Sequence, residues 1–325
     1  MYNHAMTDRE NALATICHGR PCRIGERVNM IFPREIADNV ARGFVSDGLP
    51  FGPEDAGGKD IFGVQWVYEP NVRGSMVIPG APMLEDIAGW EDRISPPDLE
   101  QINWAEVEKR CKPLVRTDML NATMVFTGYF ERLISLLDFE NAAIAMIDED
   151  KQEAVLKLFE MLTGYYETLF GKLRRHCGID MITFHDDWGH QRSTFFSEDT
   201  CREMLLPYMK RLVASCHKEG MLFDFHSCGK VENFVPIMIE AGIDKWDGQP
   251  LNDIWALLEQ YGSQICITLN VKMPNASPAE AEAWVDDILS HLTAGSGKNI
   301  FLPARGLCKT AKDTLELKSS LFYSH

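Results

Sequence analysis

From residue 122 onward the chain alternates between short strand-like runs and helical segments, and this alternation limits its fold more than any other feature. Six runs rich in apolar and β-branched residues are each followed by a helical pattern. The runs span residues 122–126, 180–185, 221–225, 243–246, 265–269 and 299–302. Strands that alternate with helices form right-handed crossovers and therefore a parallel sheet. The sequence thus predicts an α/β protein.

The segments between these runs carry the spacing and end signals of amphipathic helices. In residues 148–177, apolar residues recur at three- and four-residue steps. A second long segment spans 198–219, with Ser197 as N-cap, Gly220 as the stop and Pro207 as a candidate kink. Further helices are predicted at 129–137, 231–241, 254–261 and 277–292, and from about residue 310.

The first 121 residues are less regular. Thr7 and Glu10 have the spacing of a capping box at the start of a helix. Helices are predicted at 6–17 and 33–44, and a strand at 62–68. The stretch 47–102 is rich in Gly, Pro and Trp and is long for a loop. We interpret this part as N-terminal helices and an irregular extension that covers the mouth of a barrel.

Residues 122–325 hold six strand–helix units, and one or two more in the first part would complete a (β/α)8 TIM barrel. A length of 325 residues fits one such domain, so we predict a single barrel domain over 1–325. The alternative is an open doubly wound sheet. No G-x-G-x-x-G or G-x-x-x-x-G-K-[ST] phosphate loop follows a strand, which favours the barrel.

Charge and cysteine content limit which partners and which cellular compartment can be expected. The formal net charge is −16, from 32 Lys and Arg against 48 Asp and Glu, so binding to nucleic acid is not expected. There is no apolar run of the roughly 18 residues needed to cross a membrane, and no secretory signal pattern. Nine scattered cysteines argue against a disulfide framework and for a reducing compartment. We expect a cytoplasmic protein.

The run Phe-His-Ser-Cys-Gly at 225–229 gives the strongest local signal of a site. Side chains two apart on an extended segment point the same way, so His226 and Cys228 should converge at the end of a strand. That end of a parallel barrel holds active sites, and imidazole with thiolate suits zinc. Cys308, just past the last strand, can supply a third ligand. The alternative is a chance pair in a chain with nine Cys and nine His.

Other polar and aromatic residues follow strand ends. Asp186 and Asp187 can bind substrate, act as acid or base, or orient a metal ligand; the alternative is that they cap a turn. Tyr129 either reaches the pocket or packs at a helix start. Trp66 and Trp188 are candidates for lining a pocket.

Several of these motifs together resemble a known family. They are His-Ser-Cys-Gly at 226–229, Asp-Asp-Trp-Gly-x-Gln at 186–191, Phe-Gly-Val-Gln-Trp at 62–66 with Gly-Ser-Met at 74–76, and the late Cys308. The chain is similar to the uroporphyrinogen decarboxylase superfamily, and within it to the methyltransferase branch that includes the methylcobamide:coenzyme M methyltransferases.

The resemblance implies a (β/α)8 barrel with zinc held by His226, Cys228 and Cys308. It also implies that a corrinoid protein docks at the mouth and exchanges a methyl group with a small methyl donor or acceptor, and that Asp187 and Gln191 line the pocket. We therefore expect a zinc-dependent, corrinoid-linked methyltransferase. Catalytic candidates are Asp187 and Tyr129, and substrate-binding candidates are Trp66, Asp186, Trp188 and Gln191.

One departure keeps a second function open. Decarboxylases of this superfamily carry an Arg-rich N-terminal motif that grips the carboxylates of the porphyrin, whereas residues 29–36 contain only Arg34. The alternative function is a decarboxylase-like lyase without metal.

Overall fold

The computed structural model describes residues 6–71 and 74–324. Its main sheet has seven parallel strands in the order β1-β5-β6-β7-β8-β9-β10. These are β1 (Val28–Met30), β5 (Leu120–Val125), β6 (Met181–His185), β7 (Leu222–Ser227), β8 (Lys245–Gly248), β9 (Cys266–Thr268) and β10 (Ile300–Phe301). A small antiparallel sheet comprises β2 (Gly58–Lys59), β3 (Gln65–Glu69) and β4 (Gly74–Val77).

The main sheet curls so that its two outer strands meet. Beyond β1 and β10, Glu26 and Pro303 form a parallel bridge. The Glu26 N–H donates to the carbonyl of Leu302 (2.9 Å), and the Ala304 N–H donates to the carbonyl of Glu26 (3.0 Å). The architecture is therefore TIM-barrel-like. Within the described residues its main sheet has seven strands, so the closed barrel of eight strands stays a prediction.

Twelve α-helices are described along the chain. They are α1 (Asp8–Ile16), α2 (Ala37–Arg42), α3 (Trp104–Cys111), α4 (Tyr129–Leu137), α5 (Phe139–Ala145), α6 (Glu149–Cys177), α7 (Glu198–Met204), α8 (Leu206–Lys218), α9 (Val235–Ala241), α10 (Ile254–Tyr261), α11 (Pro278–Ser290) and α12 (Lys309–Tyr323). Among the described residues, no helix combines the length and apolar character that a membrane crossing needs.

The helix ends follow the predicted signals. Thr7 and Glu10 form the capping box of α1, and the Ser197 side chain accepts the N–H of Thr200 at the start of α7. The predicted helix 198–219 is two helices that break at Leu205. Pro207 lies in the first turn of α8, where a missing N–H costs nothing, and it cannot continue the hydrogen bonds of α7.

A buried layer of polar side chains lies between the strands. Lys245 Nζ is 2.8 Å from Asp224 Oδ1 and donates to Thr268 Oγ1 at 3.1 Å. The Thr183 hydroxyl donates to Asp224 Oδ2 at 2.7 Å. Charged side chains are stable at this depth because they are paired and hydrogen-bonded. The residues two positions further along β6, β7 and β8 point the same way and form the next layer toward the strand ends.

Part of the N-terminal extension is anchored at the end of β5. The fully buried Arg132 of α4 forms ion pairs with Asp38 (2.8 Å) and Asp60. The Arg42 guanidinium lies 4.6 Å from the ring centre of Trp66 and 5.1 Å from that of Phe126. These contacts attach α2 and the small sheet to α4; the covering of the mouth stays a prediction.

Candidate metal centre

Three potential ligands meet at the carboxyl ends of β6 and β7. The register pairs His185 with His226, and the ligand atoms of His185, His226 and Cys228 all lie within 4.8 Å of one another. His226 Nε2 is 3.7 Å from Cys228 Sγ. The two imidazole rings stack with centroids 5.0 Å apart and an interplanar angle of 23°. His226 and Cys228 therefore converge, as their spacing predicted.

The His226 ring is held by a carboxylate on the neighbouring strand. Its Nδ1 lies 3.2 Å from Asp247 Oδ2, and Asp247 Oδ1 accepts a hydrogen bond from the Asn270 amide at 2.6 Å. Burial opposes protonation, but the hydrogen bond to Asp247 and the nearby Cys228 outweigh it, so the pKa of His226 is raised well above its usual value. Fixing Nδ1 in this way leaves Nε2 for a ligand.

His185 is held in the same manner from the other side. Its Nδ1 lies 3.0 Å from Glu131 Oε2, and Arg42 donates to Glu131 Oε1 at 2.6 Å. Burial disfavours the charged ring, yet the Glu131 charge dominates and raises the pKa of His185 to about 9. Burial likewise opposes ionisation of Glu131, but Arg42 and His185 lower its pKa to about 2.

The Cys228 thiol lies close to both rings. Burial raises its pKa, but hydrogen bonds to His185 and His226 outweigh burial and lower the pKa below the usual value of 9.0. The thiolate is the form that binds metals, so these two rings prepare Cys228 to act as a ligand.

A glycine allows the Cys228 loop to pack closely. Gly229 has φ +92°, and a Cβ atom there would lie 2.2 Å from the carbonyl carbon of Gly189. The loop that follows β7 can therefore lie against the loop that follows β6. The Cys228 N–H donates to Asp187 Oδ1 at 3.4 Å across this contact.

Asp187 belongs to the site, whereas Cys308 and Gln191 lie outside the three-ligand group. Asp187 Oδ1 is 3.9 Å from His185 Nε2, and its side chain is 31% exposed. Cys308 is half-buried at the start of α12, with its N–H donating to the Met273 carbonyl at 2.7 Å. Gln191 is exposed in the loop after β6. The roles of all three stay predictions.

Asp186 and Trp188 have contacts that favour the structural interpretation left open by the sequence. Asp186 is fully buried and accepts the backbone N–H groups of Phe130 (3.1 Å) and Glu131 (2.8 Å) at the start of α4. It also accepts the indole N–H of Trp188 at 2.9 Å. Burial raises the pKa of Asp186 to about 7. The Trp188 ring is buried, and its centre lies 4.4 Å from the centre of the Phe225 ring.

Tyr129 and Trp66 are also committed to packing. Tyr129 is fully buried, and its hydroxyl is 2.7 Å from Thr163 Oγ1. Trp66 is buried and donates its indole N–H to Asp60 Oδ2 at 2.8 Å. Neither side chain has a described contact with the three-ligand group.

The sequence did not predict three residues of this site: His185, Glu131 and Asp247. The only local signal was the position of His185 at the end of a strand, directly before the Asp-Asp pair. Glu131 and Asp247 gave no pattern of their own, because the pairing of β6, β7 and β8 and the packing of α4 bring them in.

A curled parallel sheet with helices around it and a His-His-Cys group at the strand ends defines a TIM-barrel-like α/β protein with a candidate metal centre. The family model described as Uroporphyrinogen decarboxylase (URO-D) matches residues 82–312. The chain belongs to this family, as the sequence motifs predicted. A search of curated proteins by sequence finds no match.

Two solved structures illustrate the range of similarity. A methyltransferase from Methanosarcina mazei has a TM-score of 0.67 at 15% identity, over 98% of this chain and 100% of that chain. A family 10 endo-β-1,4-xylanase from Gloeophyllum trabeum has a TM-score of 0.39 at 11% identity, over 65% of this chain and 70% of that chain. The first similarity covers almost the entire chain and shows a shared fold.

Proposed function

We propose that this protein is a zinc-dependent methyltransferase that moves a methyl group between a small substrate and a corrinoid protein. The observation that carries the proposal is the group of His185, His226 and Cys228 at the carboxyl ends of the strands, where barrel enzymes place their active sites. Membership of the URO-D family and the fold shared with a methyltransferase support it.

The donor atoms fit zinc. Imidazole nitrogen and thiolate sulfur are its preferred ligands, and carboxylates hold the far nitrogens of both rings. The residues proposed to hold zinc are His226, Cys228 and, as the sequence predicted, Cys308. Zinc, when bound, would lower the pKa of a thiol substrate or polarise a methyl donor as a Lewis acid.

The chain's own groups orient the ligands and the substrate. Asp247, itself bonded to Asn270, fixes the His226 ring so that Nε2 faces Cys228. Asp187 has an exposed edge beside His185 Nε2, where its carboxylate can accept a hydrogen bond or proton from a substrate. Methyl transfer requires the donor and acceptor atoms to be in line, and a partner protein docked at the mouth would supply that alignment.

Arg34 argues against the decarboxylase alternative. It is the one arginine of residues 29–36, and both its Nε and Nη2 donate to the buried Asp47, at 2.6 and 2.8 Å. A substrate that carries several carboxylates needs cations that are free to bind them. The commitment of Arg34 to Asp47 therefore favours methyl transfer.

Metal content and methyl transfer test the proposal. The wild type, Cys228→Ala and Cys308→Ala would be purified under reducing conditions and measured by elemental analysis, with the exposed Cys17→Ala as matched control. We expect about one zinc per chain in the wild type and in the control, and loss of zinc in Cys228→Ala. Activity would be followed by the absorbance of methylcobalamin with thiol acceptors. A metal-free wild type that converts uroporphyrinogen would establish the decarboxylase instead.

A further inference from the structure

We infer that His185 is a zinc ligand alongside His226 and Cys228, and that Glu131 is the residue that positions it. This inference rests on the proposed zinc site. His185 did not enter the ligand set predicted from the sequence. It is nevertheless the third member of the described group whose ligand atoms lie within 4.8 Å of one another.

The first argument is the matched arrangement of the two histidines. They are direct neighbours in the register of β6 and β7, and their rings stack. Each ring has its Nδ1 beside a carboxylate, the buried Glu131 at 3.0 Å for His185 and the half-buried Asp247 at 3.2 Å for His226. A carboxylate at Nδ1 fixes the proton there and leaves the lone pair of Nε2 for a metal. Both rings therefore offer Nε2 on the side of Cys228.

The second argument is that the carboxylate behind His185 cannot turn away. Glu131 is buried, and its other oxygen accepts the Arg42 guanidinium at 2.6 Å. Arg42 is itself held against the Trp66 ring, 4.6 Å from its centre. Three elements, α2, β3 and α4, thus contribute to the orientation of one imidazole. The N-terminal extension would reach the metal centre through this series of contacts.

The third argument concerns ligand number. His185, His226 and Cys228 supply three protein ligands, the number found in catalytic zinc sites, which keep a fourth position for water or substrate. If Cys308 also binds, the shell has four protein ligands, and substrate must displace one of them or expand the shell. His185 is a zinc ligand in either case.

The test measures metal binding by the full chain rather than activity. Metal-free protein would be titrated with Zn²⁺ in competition with a chelating dye, and with Co²⁺ to record its visible d–d absorption. The variants are His185→Ala and Glu131→Gln. The matched control is His190→Ala, an exposed histidine on the loop after β6 whose Nε2 is 3.1 Å from Ser193 Oγ.

We expect Glu131→Gln to weaken zinc binding by about 10–100-fold, as loss of an orienting carboxylate does elsewhere. His185→Ala should weaken it further and change the Co²⁺ spectrum, whereas His190→Ala should match the wild type. Wild-type affinity and an unchanged Co²⁺ spectrum in His185→Ala would overturn the inference and leave the proposed function standing. A wild type that binds no zinc would instead refute the proposed function.

Truncation of the buried His185 leaves a void that destabilises the fold. Circular dichroism would therefore be used to check that each variant folds. If His185→Ala does not fold, Glu131→Gln decides the question, since it keeps the shape of the side chain. Unchanged zinc affinity in a folded Glu131→Gln would then overturn the positioning of His185.

Discussion

Glu26 is a buried carboxyl group at the junction of the two outer strands, and its ionisation should weaken the fold. The Thr15 hydroxyl donates to Oε1 at 2.9 Å, while the backbone N–H groups of Leu302 and Gly25 donate to Oε2 at 2.9 and 3.3 Å. Burial outweighs these hydrogen bonds and raises the pKa of Glu26 from 4.5 to about 7.

The direction of the pH effect follows from this shift. Between pH 4.5 and about 7 the folded chain keeps a proton on Glu26 that the unfolded chain has lost, so the free energy of unfolding falls as the pH rises. A pKa shift of about 2.5 units, at 1.36 kcal/mol per unit, lowers the free energy of unfolding by about 3 kcal/mol above pH 7. For a chain of 325 residues this equals a fall of about 4 °C in Tm.

Glu26→Gln isolates this effect. The glutamine oxygen can accept the Leu302 N–H, and its amide can donate to the Thr15 hydroxyl, which itself donates to the Asn11 carbonyl. The amide stays neutral at every pH. The free energy of unfolding of the variant, relative to that of the wild type, should therefore rise by about 2–3 kcal/mol from pH 5 to pH 8. Urea unfolding followed by circular dichroism at both pH values measures this gain. If the free energies of unfolding of the two proteins differ by the same amount at pH 5 and at pH 8, the reasoning is refuted.

Three further substitutions test the interior and the metal centre. Lys245→Met should lower the free energy of unfolding by about 3–5 kcal/mol because it leaves Asp224 buried and unpaired; urea unfolding should show recovery when Asp224→Leu is added. Gly229→Ala should lower Tm more than Gly58→Ala, since both glycines have positive φ but only Gly229 has no room for a Cβ. Cys228→Ala should lose zinc by elemental analysis and keep its Tm within a few degrees, because the barrel core does not depend on the metal; a large fall in Tm with activity retained would contradict this.

Local patterns predicted the second part of the chain well. The helices α4 and α10 begin and end at the predicted residues, and α6 begins at Glu149, one residue after its predicted first residue, Asp148. These helices carry an apolar periodicity and capping residues, which act within a few residues of sequence. Pro207 marked the break between α7 and α8, although the sequence could not distinguish a kink from two helices.

The N-terminal part was predicted less well. The strands β1, β2 and β4 and the helix α3 were not predicted there, and α5 was not predicted in the second part of the chain. The strand β1 has only three residues, each half-buried, and it forms because Val28 pairs with Leu120 far along the chain. A strand that depends on such a distant partner has little pattern of its own, so periodicity along the chain does not reveal it.

The parallel α/β architecture and the convergence of His226 with Cys228 could be predicted from the sequence, because strand–helix alternation and two-residue spacing are local patterns, and short motifs were sufficient to predict the family. The other polar groups that reach this pair come from distant parts of the chain, which the fold brings together. The register of β6 against β7 brings His185 in, β8 adds Asp247, and α4 adds Glu131. A shift of one residue in that register would turn each strand's side chains to the opposite face. The makeup of the site therefore depends on strand pairing, which spacing along one strand cannot encode.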